Sequence, residues 1–312
     1  MVFRAINQRK AVAAILLCLA TGFGIFGVLN LVRILTDESA VQSSAEQGGS
    51  NSSEVEIENP EGDPGINTPE IPAVDFQDVV DRFASSVRGN RSVLIYDLDR
   101  EEEVGIYNAD ENYNTASLYK LFVVYEGYRR IENGTWDGSM RAGKTGKTIL
   151  ECLDLSIRES NSVCAETLWG MIGQNELDRI VVEDYEILDS NISTLTSNVR
   201  DITAIMRRFY DHPEIKNQEL VAKMFDSFLN QPRTTYNWRQ GLPSGFSERV
   251  KVYNKVGWNY TGEYWSIYHD AAIVSFPEQK RNFIVVVMTN NIHYKNIRDF
   301  GTEFEKAFFE QI

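Results

Sequence analysis

Cysteine and histidine are scarce in this sequence, which has three of each among 312 residues and contains no Cys-x-x-Cys pair. Zinc cages and iron–sulfur clusters need several such residues at short fixed spacings, and covalent haem attachment needs a Cys-x-x-Cys-His segment. The composition therefore leaves little scope for a Cys/His metal centre, and we expect no metal site.

Basic residues are also in short supply, and the imbalance is concentrated in one segment. The chain has 31 Lys and Arg against 45 Asp and Glu, for a net charge of −14. Residues 1–35 contain four basic and no acidic residues, whereas residues 36–75 contain ten acidic and no basic residues. Residues 76–312 carry the remaining −8. An acidic folded part repels the phosphate backbone of nucleic acids, so we predict no nucleic-acid partner.

Charge is absent from residues 11–32, a run of 22 residues. A helix of about 20 apolar residues crosses the hydrocarbon core of a bilayer. The basic Arg4, Arg9 and Lys10 precede the run, and the positive-inside rule keeps such a flank in the cytoplasm. We therefore predict a cytoplasmic tail (1–10) and a single-pass transmembrane signal anchor (11–35). The alternative is a cleaved secretory signal, although those usually have an apolar core of about 7–15 residues and a small-residue cleavage site.

Both alternatives place residues 36–312 outside the cytoplasmic membrane. Residues 36–75 lack aromatic side chains and are rich in Ser, Glu, Gly, Asn and Pro. Such a segment buries too little apolar surface to offset its chain entropy. We predict a disordered acidic linker over 36–75 and one folded domain over 76–312.

The pattern of apolar residues in 76–312 predicts strands near both ends and helices between them. A β-hairpin is predicted at 92–97 and 104–107, and a helix from about 116 to 132. Further helices are predicted at 148–158, 163–172, 199–210 and 219–229, then strands at 249–258, 264–276 and 282–290, and a last helix from about 297. This order favours an α+β domain whose terminal segments share one sheet.

Three short motifs carry side chains that could do chemistry. Ser117 and Lys120 stand at i and i+3 at the start of a helix, so the lysine amine can take the serine proton. The segment 160–162, Ser-Asn-Ser, lies in a turn between two helices, where a plain helix cap is the simpler interpretation. Lys255 and Gly257 end a strand, where the glycine permits close approach of a substrate; a strand end with a solvated lysine is the alternative.

Taken together and in this order, the three motifs resemble those of the penicillin-binding-protein and serine β-lactamase superfamily: S-x-x-K, then S-x-N on a loop, then K-[TS]-G on a strand. The separations, 43 residues from Ser117 to Ser160 and 95 from Ser160 to Lys255, suit the smaller class A-like members. The resemblance covers about 76–312. It implies an antiparallel sheet of about five strands drawn from both chain ends, flanked by helices, plus an all-helical subdomain.

The resemblance also implies a mechanism. Ser117 attacks a carbonyl while Lys120 takes its proton, and Ser160, linked to Lys255, passes a proton to the leaving amine. Lys255 also attracts a substrate carboxylate. The backbone N–H groups of Ser117 and Trp258 form the oxyanion hole. Ser162, Val256, Gly257 and Trp258 are the expected substrate contacts, and neither a metal nor an organic cofactor is needed.

The sequence departs from the family pattern at three points. Ser162 stands where the family usually has Asn, and Val256 replaces a hydroxyl that helps to hold the substrate carboxylate. Residues 175–197 lack the E-x-x-L-N segment whose Glu activates the deacylating water in class A β-lactamases. The carboxylates of that stretch are Glu183, Asp184, Glu186 and Asp189. Glu166, six residues after Ser160, could face the site, although a structural role is favoured.

Two further pairs of residues are a candidate disulfide and a candidate general base. Cys152 and Cys164 flank the second motif, and outside the cytoplasm a disulfide between them is favoured over two buried thiols. His269 and Asp270 are adjacent and could act together as a general base, but the Asp at the equivalent position of the family is structural.

We therefore predict a membrane-anchored extracytoplasmic serine hydrolase of the penicillin-binding type, acting on D-alanyl cell-wall peptides and acylated by β-lactams. The alternatives are a β-lactamase with a different deacylation base and a catalytically silent binding module. Retention of all four polar motif residues weighs against silence, because a binder does not need them.

Overall fold

The computed structural model describes residues 71–231, 239–261 and 264–312. The predicted signal anchor and residues 36–70 of the predicted linker lie outside this part of the chain. Within the described residues, no helix is both long enough and apolar enough to span a bilayer.

The order of elements follows the predicted pattern. In chain order they are α1 (Gln77–Ser86), β1 (Asn90–Asp97), β2 (Glu102–Tyr107), β3 (Tyr113–Asn114), a 3-10 turn (Ala116–Leu118), α2 (Tyr119–Glu132), α3 (Ile149–Arg158), α4 (Ser162–Ile172), α5 (Gln174–Glu183), β4 (Thr196–Ser197), α6 (Val199–Asp211), α7 (Gln218–Leu229), a 3-10 turn (Leu242–Gly245), β5 (Lys251–Thr261), β6 (Tyr264–Phe276), β7 (Arg281–Asn290) and α8 (Tyr294–Gln311).

Five strands from both ends of the described chain form one antiparallel sheet in the order β2-β1-β7-β6-β5. The predicted α+β class and the sheet of five strands are therefore confirmed. The central strand β7 is buried along nearly its whole length, because helices cover both faces of the sheet. Such a strand is apolar without alternation, which is why the run FIVVVM marks it.

Two apolar cores lie on the two faces of the sheet. One core joins the sheet to the helices between its two halves and includes Leu121, Leu168 and Ile205. The other joins the sheet to α1 and α8 and includes Val80, Phe283 and Phe304. Neighbouring residues of a strand face opposite sides. Each strand residue therefore belongs to one core or to the other, and this decides which side chains can reach the cleft.

Two helices were not predicted. Helix α1 (Gln77–Ser86) buries Val79, Val80 and Phe83 beneath the sheet. Helix α5 (Gln174–Glu183) occupies the first half of the stretch 175–197. The family resemblance predicted an active-site loop for this whole stretch. The buried residues of α5 are Leu177, Ile180 and Val181, at helical spacing. The loop proper is therefore confined to residues 184–198, between α5 and α6.

Packed structure also begins earlier than the predicted domain boundary at residue 76. The side chain of Val74 is buried. Arg281 donates to the carbonyl of Pro72 at 2.8 Å, and Arg100 donates to that of Ile71 at 2.9 Å. Residues 71–75 therefore contact the domain, although the composition of 36–75 as a whole predicted a linker.

Candidate active site

Ser117 lies in the 3-10 turn Ala116–Leu118 that leads directly into α2. The residue before it, Ala116, has a φ of +44°, a left-handed conformation that is uncommon for residues other than glycine. The side-chain oxygen of Asn114 accepts the N–H of Ala116 at 2.9 Å and holds this turn. Ser117 is half-buried in this turn.

Lys120 lies one helical turn after Ser117 and is fully buried. Its Nζ donates to the carbonyl of Ser160 at 2.5 Å, to the Ser160 hydroxyl at 3.2 Å and to the Ser162 hydroxyl at 3.1 Å. An ammonium group has three N–H donors, so these contacts use all of them. Burial lowers the pKa of Lys120 to about 8, and the charge of Glu166 opposes that shift.

Ser160 connects α3 to α4 in a left-handed conformation with a φ of +53°. This conformation places both its carbonyl and its hydroxyl next to Lys120. Asn161 caps α4 by accepting the N–H of Cys164 at 3.0 Å, so the helix-cap interpretation of this motif holds as well. Cys152 on α3 and Cys164 on α4 are joined as a disulfide, with Cα atoms 4.8 Å apart. The bond ties together the two helices that flank Ser160.

Lys255 on β5 is also buried, and it lies on the other side of the Ser160 hydroxyl. Its Nζ donates to Ser160 Oγ at 3.0 Å and to the carbonyl of Val256 at 2.6 Å. Burial lowers the pKa of Lys255 well below its usual value, as does the charge of Lys120, whereas Asp270 opposes the shift. The Ser160 hydroxyl therefore lies between two lysine side chains.

The side chains of Val256 and Trp258, which follow Lys255 on β5, pack toward the apolar core beneath the sheet. Val256 is 2% exposed and packs in the core beneath α8, because it faces the opposite side of the sheet from Lys255. The side chain of Val256 is therefore turned away from Lys255, and the substrate contact expected of this residue stays a prediction. The side chain of Trp258 is half-buried and packs against the same core, and its backbone N–H is the group predicted for the oxyanion hole.

Gly257 on β5 lies very close to the turn that carries Ser117. A Cβ at this position would lie 2.6 Å from the carbonyl oxygen of Thr115 and 3.2 Å from the amide nitrogen of Leu118. Only glycine lets β5 lie this close to the turn that carries Ser117. Its immediate effect is to bring the strand of Lys255 against the nucleophile turn.

None of the carboxylates considered from the sequence is hydrogen-bonded to the Ser117, Lys120 or Ser160 side chain within the described residues. Glu183 and Asp184 pair with Arg179, and Glu186 and Asp189 are exposed in the loop 184–198. Glu166 is exposed on α4, one helical turn beyond Ser162. Of these groups, only Glu166 is close enough to influence the pKa of Lys120.

His269 and Asp270 are both fully buried, and neither contacts the Ser117 hydroxyl. Asp270 accepts the amide of Asn254 and the backbone N–H of Leu242, each at 2.9 Å. Burial raises its pKa to about 7. His269 bonds to two backbone groups, of which one belongs to Asn114. This contact was not predicted, because it joins residues that are 155 positions apart in the chain.

Among the described residues, no group of three or more His, Cys, Asp or Glu could hold a metal ion. The chemistry available in the cleft is that of the Ser160 hydroxyl bonded to two buried amines, with Ser117 one helical turn before Lys120. This set can activate an oxygen nucleophile and return a proton to a leaving group.

Comparisons with known proteins identify the family and the fold. A family model described as "Beta-lactamase enzyme family" matches residues 73–307. No curated protein matches the sequence. Among solved structures, a β-lactamase from Xanthomonas campestris superposes with a TM-score of 0.65 at 13% identity, covering 76% of this chain and 100% of its own. An ancestral class A β-lactamase gives 0.64 at 16%, covering 75% and 100%. The structure of PBP-A gives 0.64 at 14%, covering 77% and 99%.

Proposed function

The chain belongs to the β-lactamase enzyme family, and we propose that it is a membrane-anchored serine hydrolase of the penicillin-binding type. It acts through a Ser117 acyl-enzyme on D-alanyl cell-wall peptides or related amides, and β-lactams acylate the same serine. Residues 11–35 anchor it in the cell membrane, with the catalytic domain outside. The anchor supports this substrate class because it keeps the domain beside the cell wall.

One observation carries the proposal: the Ser160 hydroxyl lies within hydrogen-bond distance of both Lys120 Nζ and Lys255 Nζ. Burying two amines is costly unless they are used or compensated. A binding module has no need of two buried amines around the hydroxyl of Ser160, between α3 and α4. A proton relay needs this arrangement.

The first step is attack of Ser117 Oγ on the substrate carbonyl carbon while its proton moves to neutral Lys120. With a pKa of about 8, about one Lys120 in ten is neutral at pH 7. A neutral amine has two N–H donors and one lone pair. One of the three hydrogen bonds of Lys120 must therefore be released, and the freed lone pair accepts the proton of Ser117.

The second step is cleavage of the carbon–nitrogen bond. The proton now on Lys120 passes to Ser160 as the Ser160 hydroxyl gives its own proton to the leaving nitrogen. The N–H that Lys255 donates to the Ser160 hydroxyl oxygen favours transient oxyanion character on Ser160, and the protonated form of Lys255 attracts a substrate carboxylate. The backbone N–H groups of Ser117 and Trp258 bind the carbonyl oxygen, at about 3 kcal/mol of transition-state stabilisation for each such donor.

The final step is hydrolysis of the acyl-enzyme, which needs a base to activate the attacking water. Since no carboxylate is bonded to the catalytic side chains within the described part of the chain, a β-lactam acyl group should leave slowly. This difference from class A β-lactamases favours the penicillin-binding type.

A true β-lactamase is the second candidate, and Glu166 is the observation that favours it. This carboxylate is exposed beside the cleft and electrostatically coupled to Lys120. If Glu166 were to activate water, the acyl-enzyme would turn over quickly.

The distinguishing experiment uses the detergent-solubilised full chain and two substrates, a peptide ending in D-Ala-D-Ala and a chromogenic cephalosporin. We expect release of D-alanine, blocked by prior treatment with a penicillin, and little steady-state hydrolysis of the cephalosporin. Rapid cephalosporin hydrolysis without D-alanine release would establish the β-lactamase. Reaction with neither substrate, nor with a penicillin, would leave a silent binding module.

A further inference from the structure

His269 connects the sheet to the segment that precedes the nucleophile. It lies on β6, is fully buried, and its ring edge packs against Tyr113 with centroids 5.8 Å apart. Its Nε2 lies 2.8 Å from the carbonyl oxygen of Asn114, and its Nδ1 lies 2.9 Å from the backbone nitrogen of Thr289. Both ring nitrogens therefore bond to the main chain.

The two partners determine which nitrogen carries the proton. The N–H of Thr289 is a donor, so Nδ1 must be the acceptor and carry no hydrogen. The carbonyl of Asn114 is an acceptor, so Nε2 must carry the hydrogen. A neutral imidazole has one donor and one acceptor, and both are used. Burial lowers the pKa of His269 to about 4, in agreement with a ring that stays neutral and takes no part in proton transfer.

The bond to Asn114 leads to Ser117 in three short steps. His269 holds the backbone of Asn114, the side chain of Asn114 accepts the N–H of Ala116 at 2.9 Å, and Ala116 adopts the left-handed conformation just before Ser117. The neighbouring Thr115 is bonded from the other side, because its N–H donates to the carbonyl of Leu195 at 2.7 Å. An uncommon backbone conformation persists only where its surroundings hold it in place.

We propose that His269 is a positioning residue for the nucleophile: its Nε2–H fixes the backbone of Asn114 and, through it, the turn that aims the Ser117 hydroxyl. This proposal rests on the proposed function, since it assigns His269 to the acylation step. It predicts that loss of the Nε2–H bond slows acylation and leaves non-covalent β-lactam affinity nearly unchanged. A misplacement of about 1 Å in a reacting group can cost about 100-fold in rate.

Two substitutions separate the two bonds of the ring. His269→Gln can place an amide N–H near the position of Nε2 and keep the bond to Asn114. His269→Asn can keep an acceptor near the position of Nδ1 for Thr289 but cannot reach Asn114. His212→Asn, at the end of α6 and outside the site, is the matched control. For each variant, the acylation rate constant and the preceding dissociation constant are measured with a penicillin, together with the Tm.

We expect acylation by His269→Asn to be about 10–100-fold slower than by the unaltered protein, and acylation by His269→Gln to be substantially restored at a similar Tm. The dissociation constants should change little. Equal acylation rates in the Gln and Asn variants, or a loss confined to affinity, would overturn the proposal, because a purely packing role does not distinguish the two amides.

Amide hydrogen exchange at Ala116 gives a readout that requires no activity. Its N–H should exchange about tenfold faster in His269→Asn and near the original rate in His269→Gln. Unchanged exchange in the Asn variant would refute the positioning role. Failure of the unaltered protein to react with a penicillin would instead count against the proposed function alone. If His269→Asn does not fold, Asn114→Ala removes the next link, the side-chain bond to the N–H of Ala116, at an exposed position. Acylation at the unaltered rate in this variant would refute the positioning route through Asn114.

Discussion

The Nζ of Lys255 lies 3.0 Å from the hydroxyl oxygen of Ser160, although the two residues are 95 positions apart in the chain. Lys120 reaches the same hydroxyl from the opposite side at 3.2 Å. One hydroxyl thereby connects the strand motif to the nucleophile helix. The distances of this relay and the burial of its amines lead to the first two predictions.

The rate of acylation should rise with pH and level off above about pH 8. Burial lowers the pKa of Lys120 to about 8, and only the neutral amine can accept the proton of Ser117. Below that pKa the neutral fraction, and with it the rate, falls about tenfold for each pH unit. The measurement is the acylation rate constant for a penicillin between pH 6 and pH 9. A rate that falls with rising pH across this range would exclude neutral Lys120 as the base.

Replacement of Glu166 should move this profile. The negative charge of Glu166 raises the pKa of Lys120, so Glu166→Gln should lower that pKa and shift the rise in acylation rate to lower pH. Glu183→Gln, on α5 where Glu183 pairs with Arg179, is the matched control and should leave the profile unchanged.

The Glu166→Gln variant also distinguishes a hydrolase of the penicillin-binding type from a β-lactamase. If Glu166 activates the deacylating water, Glu166→Gln lengthens the lifetime of the acyl-enzyme as well as shifting the acylation profile. If it acts only through Lys120, the lifetime stays the same. A profile that does not move, or that moves to higher pH, contradicts the electrostatic role.

The two cysteines beside Ser160 should be linked in the native protein. Non-reducing peptide mapping should recover Cys152 and Cys164 in one cross-linked species, as the structure joins them. A bridge across 12 residues restricts the unfolded chain, so its reduction should cost about 2–3 kcal/mol in the free energy of unfolding. Complete alkylation of both thiols in the native, unreduced protein would remove the bond from this account.

The sequence predicted the sheet well because strands follow local patterns of apolar residues. Apolar runs marked β6 and β7 to within a residue, and the order of S-x-x-K, S-x-S and Lys-Val-Gly indicated one cleft. Helix α5 was missed because the family comparison suggested a loop there, although Leu177, Ile180 and Val181 have helical spacing.

Contacts between distant segments could not be predicted. The face that Val256 presents depends on the register of β5 against β6, and a strand pattern alone does not say which face borders the cleft. The bond from His269 to Asn114 spans 155 residues, and no local pattern reports it. Gly257 was predicted to let a substrate approach the strand; the structure shows it packed against the carbonyl of Thr115, and its contact with a substrate stays a prediction.

The segment that follows the predicted anchor should be accessible to protease outside the membrane. Protease added outside spheroplasts should release a domain that starts within 36–71, because residues 71–75 contact the domain through Arg100 and Arg281 while the preceding acidic segment is predicted to be disordered. The fragment is identified by its N-terminal mass. A mature chain that already begins near residue 40, or a domain protected from outside protease, would contradict the uncleaved anchor.

The most direct test of the account is the mass of the intact protein after incubation with a penicillin. We expect one added drug mass, located on the peptide that contains Ser117 and persisting for minutes, which is far slower than typical enzyme turnover of about 1–1000 per second. Ser117→Ala should show no adduct, and Lys120→Ala should form it about 10²–10⁴-fold more slowly because the proton then lacks its acceptor. An adduct on another residue, or one that still forms in Ser117→Ala, would contradict the central claim that Ser117 is the nucleophile.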